Sequence, residues 1–544
     1  MADTKPVNLM EKIVALCKRR GFVFQSSEIY GGINGFWDYG PLGADLKRNV
    51  KELWWNTMTR QRDDVAGLEA TIIMSPKIWE ASGHVATFSD PMIDCKTCKG
   101  RFRADQTDEI PCPQKPSKCV NECHGEKTEA RAFNLMFQTY VGPTATAADI
   151  AYLRPETAQA IFAQFKNVLE TSRQKVPFGI AQVGKAFRNE VTPRNFTFRS
   201  REFEQMELEF FIKPDEVIEA IHGSVATVPE TGHPGEPQAN WGWQAWHQYW
   251  VEERVRFYEG IGLDRSTLGF HRQTPAELAH YARACTDILF KFPFSKKDAD
   301  GNVVGDELEG IAARSDFDLS QHQRYSGKPM GVFDDELRAV WAKLPKEKAD
   351  DLWKRYYDNR KNYLTKSAKP DETAEQISQQ ATEDANGLAK GQYIPHVIEP
   401  SAGVDRLILA LIANAYSEIT ETDDKGKTET RVTMKFHPRV APIKVAVLPL
   451  LKNKPEIVKQ ALAVRDLLRP WMNVFYDEAG SIGRRYARQD EAGTPFCVTV
   501  DFDTLGEKPE LLGTVTIRYR DDGKQERLKI SELLDVLLAK TRDV

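Results

Sequence analysis

The sequence predicts a molecule of two parts, a large α+β domain over residues 1–435, built on a mostly antiparallel sheet flanked by helices, and a smaller α/β domain over residues 436–544. Three observations carry this expectation. Residues 176–211 alternate polar and apolar side chains on both sides of the polar connection NEVTPRN, the pattern of two long antiparallel strands joined by a loop. The C-terminal stretch alternates strands with helices, which points to a small domain with a largely parallel sheet. At residues 94–128 and again at 325–390 the apolar periodicity gives way to another composition, which marks two insertions in the large domain.

Leu9, Ile13, Val14 and Cys17 recur at helical spacing and predict a first helix, followed by a strand and a glycine-rich turn in GFVFQSSEIYGGINGFWDYGPLG. Residues 42–58 read as a second helix, with Leu46, Val50, Leu53 and Trp54 on one face and Lys47, Arg48 and Lys51 outside it. The first insertion is rich in Cys, Lys, Pro and Gly and offers no apolar core of its own, so its stability must come from elsewhere. The second is charged and helical. An apolar helix follows Gly403, and SEITETDDKGKTETR reads as a polar hairpin or linker. Beyond it, IKVAVLPLL, MNVFYDE, FCVTVD and TVTIRYRD are strands; residues 456–468, SIGRRYARQDE and residues 531–540 are helices.

Composition excludes several classes. A chain of 544 residues with 41% hydrophobic and 28% charged residues is neither a lone small binding module nor a disordered chain. Its formal charge of -5 gives no general attraction to nucleic acid, so any RNA contact rests on local basic patches. The absence of an 18-residue apolar run and of a secretory leader gives the cytoplasm as the expected location, with no membrane partner. Eight cysteines are too few for a disulfide scaffold. Cys17, Cys285 and Cys497 read as ordinary buried thiols, whereas the remaining five crowd the first insertion. There CKTCKGRFRAD supplies a zinc-knuckle spacing at Cys95 and Cys98. Cys112, Cys119, Cys123 and His124 are candidates to complete a Zn2+ site, with Cys119 and Cys123 the expected pair.

The most informative chemistry lies between Phe187 and Phe211, where Arg188, Arg194, Arg199 and Arg201 alternate with Glu190, Glu202, Glu204, Glu207 and Glu209. On a continuous strand, residues 199, 201, 203, 205, 207 and 209 share one face. Two guanidiniums, the Phe203 ring and two carboxylates then point together, an arrangement suited to a ligand with phosphates, a flat base and an ammonium group. A salt-bridged, solvated sheet face would use the same residue types.

This segment resembles the second signature of class II aminoacyl-tRNA synthetases, an aromatic, an arginine, any residue and a glutamate, at Phe187, Arg188, Asn189 and Glu190. The third signature, a glycine and an arginine leading into an apolar helix, matches Gly403, Val404, Asp405 and Arg406. Residues 40–74 loosely match the first. Over nearly its whole length the chain is similar to the glycyl-tRNA synthetases of the homodimeric type, through GGINGFWDYGPLG, RPETAQAIF, VGKAFRNEVTPRNF, REFEQMELEFF, LEGIAARSDFDLSQH, VIEPSAGVDR and RRYARQDEAGTPFCVTVDFDTL.

The resemblance implies a ligase that forms glycyl-adenylate from glycine and ATP with Mg2+ and passes glycine to the 3' end of tRNA. It makes Arg188 and Arg406 the catalytic cations. It assigns ATP to Arg188, Asn189, Glu190, Phe198, Arg199, Ser200, Arg201, Glu202, Phe203, Glu307, Leu308, Gly403, Val404, Asp405 and Arg406, with Phe203 stacked on adenine and Glu307 near the magnesium. It assigns the amino acid to Arg103, Glu156, Phe203, Glu204, Gln205, Met206, Glu207, Glu399, Pro400, Ser401, Ala402 and Gly403, with carboxylates for the ammonium and Ser401 filling the space of a side chain. Glu307 and Arg103 read equally as surface residues. The terminal domain resembles an anticodon-binding domain, in which Arg484, Arg485 and Arg488 would meet phosphates or form a solvated face. Two further readings are a class II ligase for threonine, serine or proline, and a catalytically silent RNA-binding relative. Glu207, Glu399 and Ser401 speak against the first, and Arg188 with Arg406 against the second.

Overall fold

The computed structural model describes residues 8–542 except 109, 230, 280, 299, 370–371 and 423–427. Its central sheet consists of β1 (Val65–Gly67), β2 (Phe178–Phe187), β3 (Glu202–Ile212), β4 (Leu268–Arg272), β5 (Ala284–Phe290), β6 (Asp306–Ser315) and β7 (His396–Gly403). The spatial order is β4-β5-β6-β7-β3-β2-β1, antiparallel throughout except for the parallel pair β2 and β1. The expected long hairpin is β2 with β3, in register from Phe178 opposite Phe211 to Phe187 opposite Glu202. Because β3 starts at Glu202, Arg199 and Arg201 lie before the strand, and the period-two argument does not extend to them.

Two apolar clusters sandwich β3. Its even positions Met206, Leu208 and Phe210 join Leu46, Val50 and Trp54 of helix α2 (Pro41–Trp55). Its odd position Phe211 joins Phe162 and Phe165 of α3 (Ala158–Thr171). Helix α1 (Leu9–Arg20) is capped by Asn8, whose side chain accepts from the Met10 N–H, and stops at Gly21 in the left-handed region, φ 76°. In α2, Gly43 is required by close approach, since a Cβ there would stand 1.8 Å from the Phe22 carbonyl oxygen. Helix α4 (Trp243–Glu259) packs on the first cluster and carries Arg254, whose Nε lies 2.7 Å from Glu309 with both side chains fully buried.

The first insertion has a small core that its composition concealed. Ile93, Cys95, Phe102, Ile110 and Val120 pack together under a three-stranded sheet, so the expectation of a coreless module is corrected. Residues 325–390 are helical as expected, with α6 (Lys346–Lys366) against α7 (Ala374–Gly387), preceded by α5 (Phe317–Ser326). Leu352 and Tyr356 of α6 seat the insertion on the second cluster. Helix α8 (Val404–Ala415) leads to the strand pair Tyr416–Thr422 and Thr428–Met434, the expected polar hairpin, whose tip lies outside the described residues.

The C-terminal sheet runs Val474–Tyr476, Val445–Pro449, Phe496–Val500, Thr514–Tyr519, Gln525–Lys529. Its first three strands are parallel and its last two antiparallel, so the sheet is mixed rather than largely parallel. The final strand, QERLK, escapes sequence reading because it is an edge of mainly charged residues. Replacing Arg254 by Leu strands the Glu309 charge in the core; we expect a loss of about 3–5 kcal/mol, read as a lowered denaturant midpoint.

Candidate active site

The register of β7 and β3 places Ser401 opposite Glu207 and Gly403 opposite Gln205, so the two signature segments meet over one face of the sheet. One cavity there is lined by Arg188, Glu190, Phe198, Arg199, Ser200, Phe203, Gln205, Glu307, Ser401, Gly403, Asp405 and Arg406. Arg188 is fixed by its Nε donating to the Pro155 carbonyl at 3.0 Å, and its guanidinium lies 5.5 Å from the Phe203 ring centroid and 5.4 Å from that of Phe88. On the far wall, Arg406 stands 4.6 Å from the Phe198 centroid, donates to the Glu307 carbonyl at 3.2 Å and lies 3.3 Å from the Glu307 carboxylate. Two aromatic rings, each beside a guanidinium, thus flank a slot with cationic walls. Arg199 faces Glu190 at 3.7 Å.

Not every sequence candidate enters this cavity through its side chain. Glu204 points to the opposite face of β3, where Lys47 and Lys51 each hold it at 2.8 Å. Asp405 accepts from Tyr39, Lys47 and the Glu204 N–H, which locks the start of α8. Arg201 braces the turn before it, donating to the Glu190 and Asn34 carbonyls, and Glu202 pairs with Lys185. Met206, Leu308, Ala402 and Val404 are core side chains. Asn189 is anchored through its N–H on the Leu135 carbonyl, and Pro400 is buried within β7. Arg103 is held by Asp90 at 2.9 Å and Asp105 at 2.7 Å.

Beside the cavity, Glu207 bonds to two of its lining residues, Gln205 and Ser401, and belongs to a cluster of carboxylates. Glu207 accepts from the Thr157 N–H and hydroxyl, from Gln205 at 2.8 Å and from Ser401 at 2.8 Å. Burial and the neighbouring Glu156 raise its pKa, against the hydrogen bonds from Thr157 and Ser401. Arg314 of β6 donates to Glu399 at 2.7 Å and grips Asp318 of α5 through two bonds of 2.8 and 2.9 Å. Burial pushes Glu399 up to about 8, with Glu207 and Glu156 adding repulsion and Arg314 opposing. Burial would also raise Glu156, but His84, Arg314 and Gln159 together hold it well below the usual carboxylate range. His84 Nε2 lies 3.4 Å from that carboxylate.

The sequence did not single out Arg314, Asp318, Thr157 or His84. The first two were signalled by an arginine and an acid four residues apart within LEGIAARSDFDLSQH; His84 sits in a short helical turn with no local pattern to reveal it.

The cysteine module departs from expectation. Cys95 and Cys98 form the knuckle, with the Cys98 N–H 3.4 Å from the Cys95 sulfur. Cys112 interacts with Cys123, which holds its thiol below the ordinary value, while Cys119 sits in a strand with its N–H on Glu122. Among the described residues no group of three or more His, Cys, Asp or Glu is arranged to hold a metal ion. Zinc at the expected Cys95, Cys98, Cys119 and Cys123 is therefore not supported among the described residues. In the C-terminal domain Arg485 is also corrected: it is buried and donates to the carbonyls of Pro449, Asp477 and Leu450, so it is a structural brace. Arg488 pairs with Asp477, and Arg484 is exposed.

Comparison with known proteins accords with this geometry. Residues 145–231 match the tRNA synthetase class II core domain (G, H, P, S and T), and residues 444–540 match the anticodon binding domain. The chain is 43% identical to the glycine–tRNA ligase of Treponema denticola over 96% of its own length and 95% of that protein. It is 41% identical to that of Streptomyces coelicolor, covering 96% of both chains. The chain belongs to the glycine–tRNA ligases. The Thermus thermophilus glycine–tRNA ligase is 40% identical over 97% of this chain and 98% of its own. As a ligase of this family the chain is a class II aminoacyl-tRNA synthetase, a class that uses ATP and Mg2+. Among the described residues no helix is long and apolar enough to cross a membrane.

His84 is a neighbour of Glu156 contributed by a segment distant in sequence. We expect His84→Ala to raise the amino-acid KM about tenfold with kcat little changed, the scale of one hydrogen bond to a charged group, as read in steady-state pyrophosphate exchange.

Proposed function

We propose that this ligase activates glycine with ATP and transfers it to the terminal adenosine of tRNA(Gly) in the cytoplasm, working as a homodimer. The observation that carries the reading is the meeting of a cation-walled slot with a cluster of buried carboxylates around Glu156, Glu207 and Glu399. A nucleotide fits the first and a small ammonium the second.

In this reading adenine lies between Phe203 and the Arg406 guanidinium, whose far end reaches the terminal phosphate. Arg188 stands at the α-phosphate and the attacking carboxylate, where negative charge builds as the carboxylate oxygen displaces pyrophosphate. A cation already oriented by Pro155 and the flanking rings stabilises that charge without reorganising, so no protein nucleophile is needed. Arg199 and Glu190 sit beside the phosphates, and Glu307 offers carboxylate oxygen to the magnesium that accompanies ATP, a ligand type suited to a hard dication. Magnesium held beside Glu307 would supply neutralisation of phosphate charge.

The carboxylates take the ammonium through charge-assisted hydrogen bonds. Ser401 bonds to Glu207, and in this reading its side chain fills the volume a β-carbon would need. Rejection of larger substrates by occlusion is strong, whereas a pocket selecting against a smaller one gains only about 1–3 kcal/mol per methylene. Glycine selection therefore requires no second, hydrolytic site. The homodimer accords with the strongly exposed Ile29, Tyr30 and Ile33, an apolar group on the glycine-rich turn. Exposed Arg484 is the C-terminal cation we place against tRNA phosphate.

Pyrophosphate exchange measured with each of the twenty amino acids tests this: exchange with glycine alone is expected, and exchange with another amino acid contradicts the pocket assignment. Arg188→Ala should lower glycine-dependent exchange about 10²–10³-fold, and normal adenylate formation by that variant would remove Arg188 from its role. Ser401→Gly is expected to admit alanine, with measurable alanine-dependent exchange absent from the unmodified enzyme.

A further inference from the structure

Unpartnered hydrogen-bond donors collect around a second cavity, separate from the active site. It lies between the end of α2, the π-helical turn Asn56–Arg60 that continues it, the later turns of α4 and the segment leading into the C-terminal sheet, and its volume is about 310 Å3. Its charged lining is Arg62, Glu253, Arg254, Arg256 and Arg439, four guanidiniums against one carboxylate, joined by the Trp250 indole. The acids within reach are already taken. Arg62 is closed on Asp64 and Tyr249, Arg256 and His233 hold Glu253 at 2.8 and 3.1 Å, and Glu309 is bonded by Arg254 Nε and Tyr258. What remains is donors. Arg254 is fully buried, yet neither Nη1 nor Nη2 has a hydrogen-bond partner; the same holds for Trp250 Nε1, on a side chain 1% exposed, and for Arg439 Nε. Arg439 donates through Nη1 to the Gly260 carbonyl at 3.3 Å and enters no ion pair among the described residues. No unpartnered buried side-chain acceptor stands on this lining among the described residues. The Phe257 ring, 4.5 Å from the Arg254 guanidinium, eases its charge but offers no lone pair to the N–H groups.

We propose that this cavity binds a small oxyanion of the phosphate class, either free phosphate or the end of a phosphate ester, through Arg254 Nη1 and Nη2, Trp250 Nε1 and Arg439 Nε. A buried N–H without an acceptor is costly, and more so on a charged group. Several such donors grouped around one space, with no acceptor left over, call for a ligand that is all acceptor. A planar carboxylate pairs best with one edge of one guanidinium. A tetrahedral oxyanion presents oxygens in several directions and so serves donors arriving from two separate segments. Arg254 and Trp250 belong to α4, which packs on the first apolar cluster, whereas Arg439 belongs to the segment leading into the C-terminal sheet. The bound anion ties these two together, and a ligand that binds only the folded chain adds stability at that junction.

Inorganic phosphate is titrated into the full-length protein by calorimetry at constant ionic strength, with glycerol phosphate and acetate as parallel probes. Saturable phosphate binding below about 10 mM is expected, and it should survive Arg188→Ala, which removes a cation from the active-site cavity. Trp250→Phe and Arg439→Gln should each weaken it about tenfold, the scale of one hydrogen bond to a charged group. Tighter binding of glycerol phosphate identifies an ester as the ligand, and tighter binding of phosphate identifies the free ion. A crystal grown with phosphate should show the oxyanion on Arg254 Nη1 or Nη2. No saturation, acetate binding as tightly as phosphate, binding lost in Arg188→Ala, or binding that neither other variant weakens overturns the site. So does a crystal structure in which only water or a side chain of a second copy meets these donors. If Trp250→Phe fails to fold, Arg439→Gln, at a half-buried position, decides alone.

Discussion

Arg314 is hydrogen-bonded among buried carboxylates that outnumber it, and this imbalance organises the end of the site we assign to the amino acid. Its two bonds to Asp318 and one to Glu399 hold the end of β6, the start of α5 and the middle of β7 in one geometry. Breaking that arrangement would leave uncompensated charge in a closed space, which is among the more costly faults a protein interior can carry. In the proposed reading, the remaining negative charge is what the small ammonium substrate meets. In that reading fold and selectivity depend on the same group: the guanidinium that makes the cluster tolerable also limits how much of it is neutralised.

The nucleotide end follows another logic. Arg188 and Arg406 lie beside rings and donate to main-chain carbonyls, with Arg406 also near the half-exposed Glu307 carboxylate, which in the proposed reading leaves their charge for phosphate. Nearby, Asp405 and Glu204 are paired with Lys47 and Lys51, a network that fixes the entry of α8. The antiparallel register of β3 and β7 sets the separation between the two ends, since Glu207 opposite Ser401 and Gln205 opposite Gly403 lie two residues apart on each strand.

Much of this was legible in the sequence. Alternation gave the β2–β3 hairpin, the run after Gly403 gave α8, and the signature spacing brought Arg188, Phe203 and Arg406 into one cavity. What escaped depended on tertiary contact. The period of two already sets Glu204 on the face opposite Glu207, but it does not report the two lysines of α2 that meet it there. Arg485 looks like a surface cation on a polar helix but is drawn inward by three carbonyls. The cysteine spacing suggested a metal module, whereas the fold there packs Ile93, Phe102, Ile110 and Val120. His84 reaches Glu156 from 72 positions away in sequence, and no periodicity reports such a pairing.

The most direct test of the account is a crystal structure with a non-hydrolysable glycyl-adenylate analogue. The account predicts the analogue's ammonium within hydrogen-bond distance of the carboxylates of Glu156, Glu207 or Glu399, the Arg188 guanidinium on the phosphate mimic, and adenine between Phe203 and Arg406. An amino group bound away from these carboxylates, or an adenine outside the slot, would contradict it.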